Sequence, residues 1–234
     1  MSEQLQYIID AAEKDRHALE IISAIKSGKE AEVYQVLFDR GLSAMKVYKN
    51  PEERSFKNAD QYISGKFYKH ESHRKAIAKG NKFGKKLKHS NWIAREFLIL
   101  NKLHTAGAAI PKPIIQLEDA IVMEYIGDSD AVAERLIDVD LNKDVAERIF
   151  QVILENIRLF LKNGIVHGDL SPYNILYRSE QAFIIDFPQS IDIRNYPNPW
   201  EVLERDLNNI INYFKKYIEI DEEKVKEEFK NLSN

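Results

Sequence analysis

The chain has 234 residues, of which 44% are hydrophobic and 30% charged, enough apolar material for the core of one large domain or two small lobes. A formal net charge of −3 makes no case for or against a nucleic-acid partner. With no cysteine, disulfides, zinc–thiolate sites and cysteine nucleophiles are excluded, and the composition fits a reducing compartment. Residues 1–20 are too charged for a secretory signal, and no apolar run reaches the roughly 18 residues of a membrane span. The expectation is a cytoplasmic globular protein with no membrane partner.

In chain order, apolar Leu5, Ile8, Ile9, Ala11 and Ala12 predict an amphipathic helix over residues 3–15. Residues 18–25, 31–38 and 43–48 read as strands. Ser27-Gly28 and Asp39-Arg40-Gly41 supply the turns of a three-stranded antiparallel meander. Trp92, Ile93, Phe97, Leu98, Leu100 and Leu103 predict a helix over 91–106, which Ile110-Pro111-Lys112-Pro113 terminates. Strands follow at 114–117 and 120–125. The longest helical period runs over 143–163, with Val145, Ile149, Val152, Ile153, Ile157, Phe160 and Leu161 on one face. Short strands at 174–177 and 182–185 precede helices near 199–217 and 221–231. Mostly strands, then mostly helices, predicts an α+β protein of two lobes joined near 124–128. The expected divisions are an N-terminal helical extension (1–17), a first lobe (18–126) and a second lobe (127–234).

Residues 50–90 break the pattern. From Lys66 to Lys88 nine Lys or Arg stand against one acid, Glu71, so the stretch reads as a solvated loop, with contact to RNA or another polyanion as the alternative. Self-repulsion and little periodic apolar content predict mobility from about 52 to 88. Ser55, Ser64 and Ser72 make it a place for autophosphorylation beside many cations.

Between two apolar segments the chain reads HGDLSPYN over 167–174, and FIIDFPQ follows with Asp186. Asp and Asn oxygens are hard ligands suited to Mg²⁺, and a second Asp near an incoming hydroxyl can orient it or accept its proton. An Asx-turn with a capping Asp is the plainer alternative. Asp169, Asn174 five residues on and Asp186 twelve further resemble the catalytic loop and metal-binding Asp of protein kinases. Lys46 sits mid-strand between Met45 and Val47, where an ammonium needs anionic partners. Glu96 is the best carboxylate on the helix of that lobe, and the two match a strand-lysine, helix-glutamate pair. Neither G-x-G-x-x-G nor a Walker sequence is present; Ser27, Gly28 and Lys29 are the candidates for contacting phosphates.

SGKEAEVY, AMKVYK, NADQYISGKF, HGDLSPYNILY and IIDFPQSID together resemble the RIO family of atypical serine/threonine kinases, over about residues 20–215. The 58–80 stretch is similar to the first RIO subfamily and DFPQ to the second. With strands starting near residue 18, no room is left for the second subfamily's winged-helix domain, which favours a compact archaeal-type member nearer the first. The resemblance implies a kinase-like fold and ATP with Mg²⁺ or Mn²⁺. It implies Asp169 as catalytic residue, Asn174 and Asp186 as metal ligands, and Lys46 on phosphate. Met123-Glu124-Tyr125-Ile126 would be the adenine hinge, with Val33, Ser171, Tyr173 and Ile185 completing the nucleotide site. No A-P-E sequence follows Asp186, as the resemblance leads one to expect. The implied activity is serine/threonine phosphorylation, including autophosphorylation, in small ribosomal subunit maturation. Alternatives are an ATP-driven assembly factor on the pre-ribosomal small subunit and its RNA, or a small-molecule phosphotransferase.

Overall fold

The computed structural model describes residues 2–49, 82–128 and 131–232. Of the stretch expected to be mobile, about 52–88, residues up to 81 lie outside the described residues, as do Ser55, Ser64 and Ser72, the expected places of autophosphorylation. Two compact units are formed, one by Met1–Leu98 with Lys112–Tyr125 and the other by Ile99–Pro111 with Ile126–Asn234.

In the first unit, β1 (Leu19–Ser27), β2 (Ala31–Phe38), β3 (Gly41–Tyr48), β4 (Pro113–Leu117) and β5 (Ala120–Glu124) form one antiparallel sheet, ordered β1-β2-β3-β5-β4. Helix α1 (Glu3–Lys14), capped by the Ser2 hydroxyl on Leu5 N–H, lays Leu5, Ile8 and Ala12 on one sheet face. Met45 and Val47 of β3 point into that core. Because strand side chains alternate, Lys46 and Tyr48 must point to the opposite face. A one-residue slip of β3 would exchange the two pairs, and the apolar core under α1 holds the register against it. The β2–β3 turn has positive φ at Asp39 (45°) and Arg40 (70°), the two-residue geometry whose twist matches a hairpin. The Asp39 carboxylate accepts from Ala18 N–H at 2.9 Å and contacts His17 at 2.6 Å, tying the entry of β1 to this turn.

Helix α2 (Lys82–Thr105) begins earlier than residue 91, so the basic residues 82–88 are helical rather than loop. Lysine is a good helix former, and Lys85 and Lys86 are exposed while His89, Trp92, Ile93 and Glu96 are buried, so the charge lies on the outer face. Leu98, assigned to the apolar face from sequence, is 55% exposed. Ile99 is buried in its place, beside Leu100 and Leu103, which lie on the buried face as expected.

The second unit is built around α3 (Lys143–Lys162), α4 (Pro199–Phe214) and α5 (Glu222–Leu232). Asn142 caps α3 by accepting from Val145 N–H at 2.9 Å, and Gly164 at φ +73° follows its C-terminus, a conformation glycine adopts without strain. Val152 is only half-buried, whereas Ile149, Ile153, Ile157 and Phe160 are core. Buried Asn156 accepts from Ala109 N–H at 2.6 Å and donates to Val152 O at 2.8 Å, so its polar ends are satisfied. Two small antiparallel sheets frame the loop that follows α3. β6 (Glu134–Arg135), β8 (Ile175–Arg178) and β9 (Gln181–Ile184) form one; β7 (Ile165–Val166) and β10 (Ile191–Asp192) form the other. The two-residue strands are too short to show periodicity and do not figure in the sequence expectations.

Candidate active site

In the first unit, Lys46 Nζ donates to Glu96 Oε1 at 2.8 Å. Both residues are buried, at 9% and 2% exposure. Tyr48 OH donates to the other oxygen, Glu96 Oε2, at 2.7 Å. Glu96 reaches them because α2 presents it one turn after Trp92, whose ring meets Tyr48 edge-on at 5.1 Å between centroids. Tyr48 is absent from the sequence expectations, although its place two residues beyond Lys46 puts it on the same strand face. Ser27 OH donates to Glu32 at 3.1 Å, and Gly28 N–H donates to Ala31 O at 2.9 Å, closing the β1–β2 turn. The Gly28 amide is thus engaged within the turn, and Lys29 follows it. Val33 pairs with Lys46 across β2–β3. Met123 and Glu124 end β5, with Glu124 N–H on Lys112 O at 2.8 Å; buried Tyr125 follows.

In the second unit, β7 delivers the chain into His167–Ser171, and a 3-10 turn, Pro172–Asn174, returns it to β8. Asn174 Nδ2 donates to Asp169 O at 2.9 Å and Asp169 Oδ2 at 3.3 Å, closing the loop on itself. Ile185 N–H donates to Asn174 O at 2.9 Å, which places Asp186 next in line beyond the loop. Asp169 N–H donates to His167 Nδ1 at 3.3 Å. Its Nε2 lies 3.1 Å from Ile185 O, so the ring bridges the backbone at Asp169 and at Ile185. Asp169, Asn174 and Ile185 are brought together by hydrogen bonds, and the Asp186 charge acts on Asp169, with Ser171 and the exposed Tyr173 on the loop between. Ile126, also of this unit, accepts from Ala133 N–H at 2.9 Å.

Helix α4 holds the loop. Asp206 accepts from Gly168 N–H at 2.8 Å and Leu170 N–H at 3.0 Å, Arg205 donates to Gly168 O, and Asn209 donates to Leu170 O at 2.9 Å. Backbone groups that make no ladder here are therefore paired by side chains of one helix. Asp206 is another residue the sequence reading missed. Its signal was an acid among Val202, Leu203, Leu207 and Ile210, on the buried face of α4.

Burial raises the Asp169 carboxyl above the usual range, and the Asp186 charge adds to it; the Asn174 bond and Arg205 oppose both. Burial also pushes Asp206 up to about 7, against the pull of its two backbone N–H donors. With its folded value above the ordinary 3.8, Asp206 contributes stability that is full below that value and lost as pH rises through 7. Wild-type unfolding free energy is expected to carry a slope of up to about 1.4 kcal/mol per pH unit from this group across that window. Asp206→Asn should lack that slope and lose about 1–3 kcal/mol at low pH, where its amide faces a backbone donor. Denaturant melts across pH check this; equal slopes would mean that Asp206 ionises normally in the fold.

The oxygen chemistry suits a hard cation. Asn174 commits its Nδ2 to Asp169 and retains Oδ1 as an oxygen donor, and Asp186 offers a carboxylate. Among the described residues no group of three or more His, Asp or Glu side chains is placed to hold a metal.

The RIO domain profile matches residues 32–228. Human serine/threonine-protein kinase RIO1 is 35% identical over 200 residues, covering 85% of this chain and 34% of the human protein. RIO-type serine/threonine-protein kinase Rio1 of Thermoplasma acidophilum is 36% identical over 140 residues, covering 59% of this chain and 72% of its own. This chain spans about a third of the human relative's length. Among solved structures, the Rio2 kinase–ADP/Mg²⁺–phosphoaspartate complex from Chaetomium thermophilum aligns with a TM-score of 0.63 at 23% identity. The alignment covers 96% of this chain and 64% of that one, which gives a kinase-like α+β fold. The chain belongs to the RIO domain family.

Proposed function

We propose that this chain is an ATP- and Mg²⁺-dependent serine/threonine protein kinase of RIO type, with autophosphorylation and ATP hydrolysis as facets of one chemistry. The observation that carries the reading is the loop in which Asn174 closes on Asp169, whose carboxyl is raised by burial and by Asp186. Asp169 orients an incoming hydroxyl and accepts its proton, a task that a carboxyl of raised basicity performs better. Lys46, held by Glu96, binds phosphate oxygens. Ser27, Gly28 and Lys29 border the phosphates, Val33 covers the nucleotide, and Met123–Ile126 hold adenine by backbone groups. Ser171, Tyr173 and Ile185 line the site around the metal ligands. Asn174 and Asp186 would hold Mg²⁺ (or Mn²⁺), which when bound neutralises phosphate charge.

A second reading is favoured by the phosphoaspartate of the Rio2 complex. There the Asp169 carboxylate is the nucleophile: it takes the γ-phosphoryl group, ADP leaves, and water hydrolyses the acyl phosphate. Turnover would then drive release from the pre-ribosomal small subunit in the cytoplasm, with no external protein phosphorylated. The basic 66–88 stretch supports an RNA contact. The relatives that carry the Rio1 name support placement nearer the first subfamily. Labelled ATP with Mg²⁺, with and without small ribosomal subunits, separates the readings. Phosphate stably on Ser or Thr supports the kinase; free phosphate released faster with subunits supports the assembly ATPase; neither product rejects both.

Lys46→Met keeps the packing stem and removes the cation. Its ATP turnover should fall on the order of 10²-fold while adenosine binding stays within a few-fold. Competition assays with both ligands check this, and equal losses would mark Lys46 as structural only.

A further inference from the structure

We propose that Tyr48 is a positioning residue for phosphoryl transfer, acting through Glu96. The inference rests on the kinase reading, in which Lys46 contacts phosphate. A buried carboxylate has two oxygens to satisfy, and Lys46 donates to one of them, Oε1, at 2.8 Å. Tyr48 OH takes Oε2 at 2.7 Å, with the tyrosine fully buried and Glu96 2% exposed. Because Lys46 and Tyr48 are two apart on β3, one strand presents both donors to one carboxylate.

The geometry suits a clamp. Tyr48 is held edge-on by Trp92, which lies one turn before Glu96 on α2, so its ring and its hydroxyl engage the same helix. The ammonium of Lys46 stands 5.1 Å from the centroid of the Tyr48 ring. Tyr48 therefore touches both members of the ion pair. When phosphate oxygens draw on the Lys46 ammonium, Glu96 shares its partner with another anion. A second donor fixed by a rigid ring keeps the carboxylate from following the lysine, and so keeps the ammonium at one point. Gln4 of α1 donates to Tyr48 O at 2.8 Å and fixes the end of the strand as well.

Tyr48→Phe removes only the hydroxyl and keeps the ring against Trp92 and Lys46. Its kcat for Mg²⁺–ATP should fall about tenfold, with adenosine binding unchanged, because the phosphate cation is displaced rather than the base site. A double-mutant cycle with Glu96→Gln supplies the readout that a structural role would not move. In the Glu96→Gln background the buried charge is gone, and adding Tyr48→Phe should slow turnover less than about twofold. Turnover of Tyr48→Phe within twofold of wild type overturns the proposal, as does an equal tenfold loss in both backgrounds. The wild type serves as the separate control: if it turns over no ATP, the kinase reading fails; if it does and the cycle is additive, only the role of Tyr48 fails.

Discussion

Asp186→Asn is expected to lower Mg²⁺-dependent ATP turnover on the order of 10²–10³-fold or more, with the fold intact. Asp186 has φ +73°, a left-handed conformation that most side chains resist but that Asn tolerates as well as Asp does. The substitution therefore isolates the charge from the backbone. It also removes the neighbour that helps raise Asp169, so the Asp169 carboxyl should return toward its ordinary value. Circular dichroism, thermal melting and ADP release on one preparation make the test. A folded Asp186→Asn protein with turnover within a few-fold of wild type would remove Asp186 from the metal role.

Gly168→Ala should be the most damaging single methyl in the loop. Gly168 has φ +84°, and a Cβ built there would lie 2.4 Å from the carbonyl oxygen of Gln189. That oxygen belongs to backbone, and the segment is anchored where Ser190 N–H and OH both donate to Phe187 O, at 3.1 and 2.8 Å. Left-handed strain costs about 1–2 kcal/mol and the overlap about 1–3 more, so a loss of about 2–5 kcal/mol is expected. Any relaxation would move the two N–H groups that Asp206 accepts and carry Asp169 with them. Activity should therefore fall even below the melting temperature. Denaturant unfolding with activity assays checks both parts; an Ala variant as stable and active as wild type would show the loop to be loosely held.

The five strands of the first unit, β8, β9 and helices α1, α3, α4 and α5 each lie within a few residues of expectation, because their apolar pattern and flanking turn residues mark them locally. The start of α2 was obscured because lysine was read for its charge rather than for its helix propensity. The Lys46–Glu96 pairing was legible because each is a charge set among apolar neighbours, and such a residue needs a partner. Tyr48 was hidden for the converse reason, since a tyrosine among apolar residues looks like ordinary core until its hydroxyl is located. The Asp169–Asn174 closure followed from the five-residue spacing, whereas the grip of Arg205, Asp206 and Asn209 on the loop crosses more than thirty-five positions and leaves no local period.

The central claim is that the residues around Asp169 move the γ-phosphoryl group of ATP. Its most direct test is to incubate purified full chain with γ-labelled ATP and Mg²⁺, and to follow the label into protein and free phosphate beside Asp169→Asn and Asp186→Asn. The account predicts label transfer by wild type that depends on Mg²⁺ and is lost in both variants, although both still fold. Label left entirely on ATP by a folded, ATP-binding wild type, or transfer that persists in both variants, would contradict it.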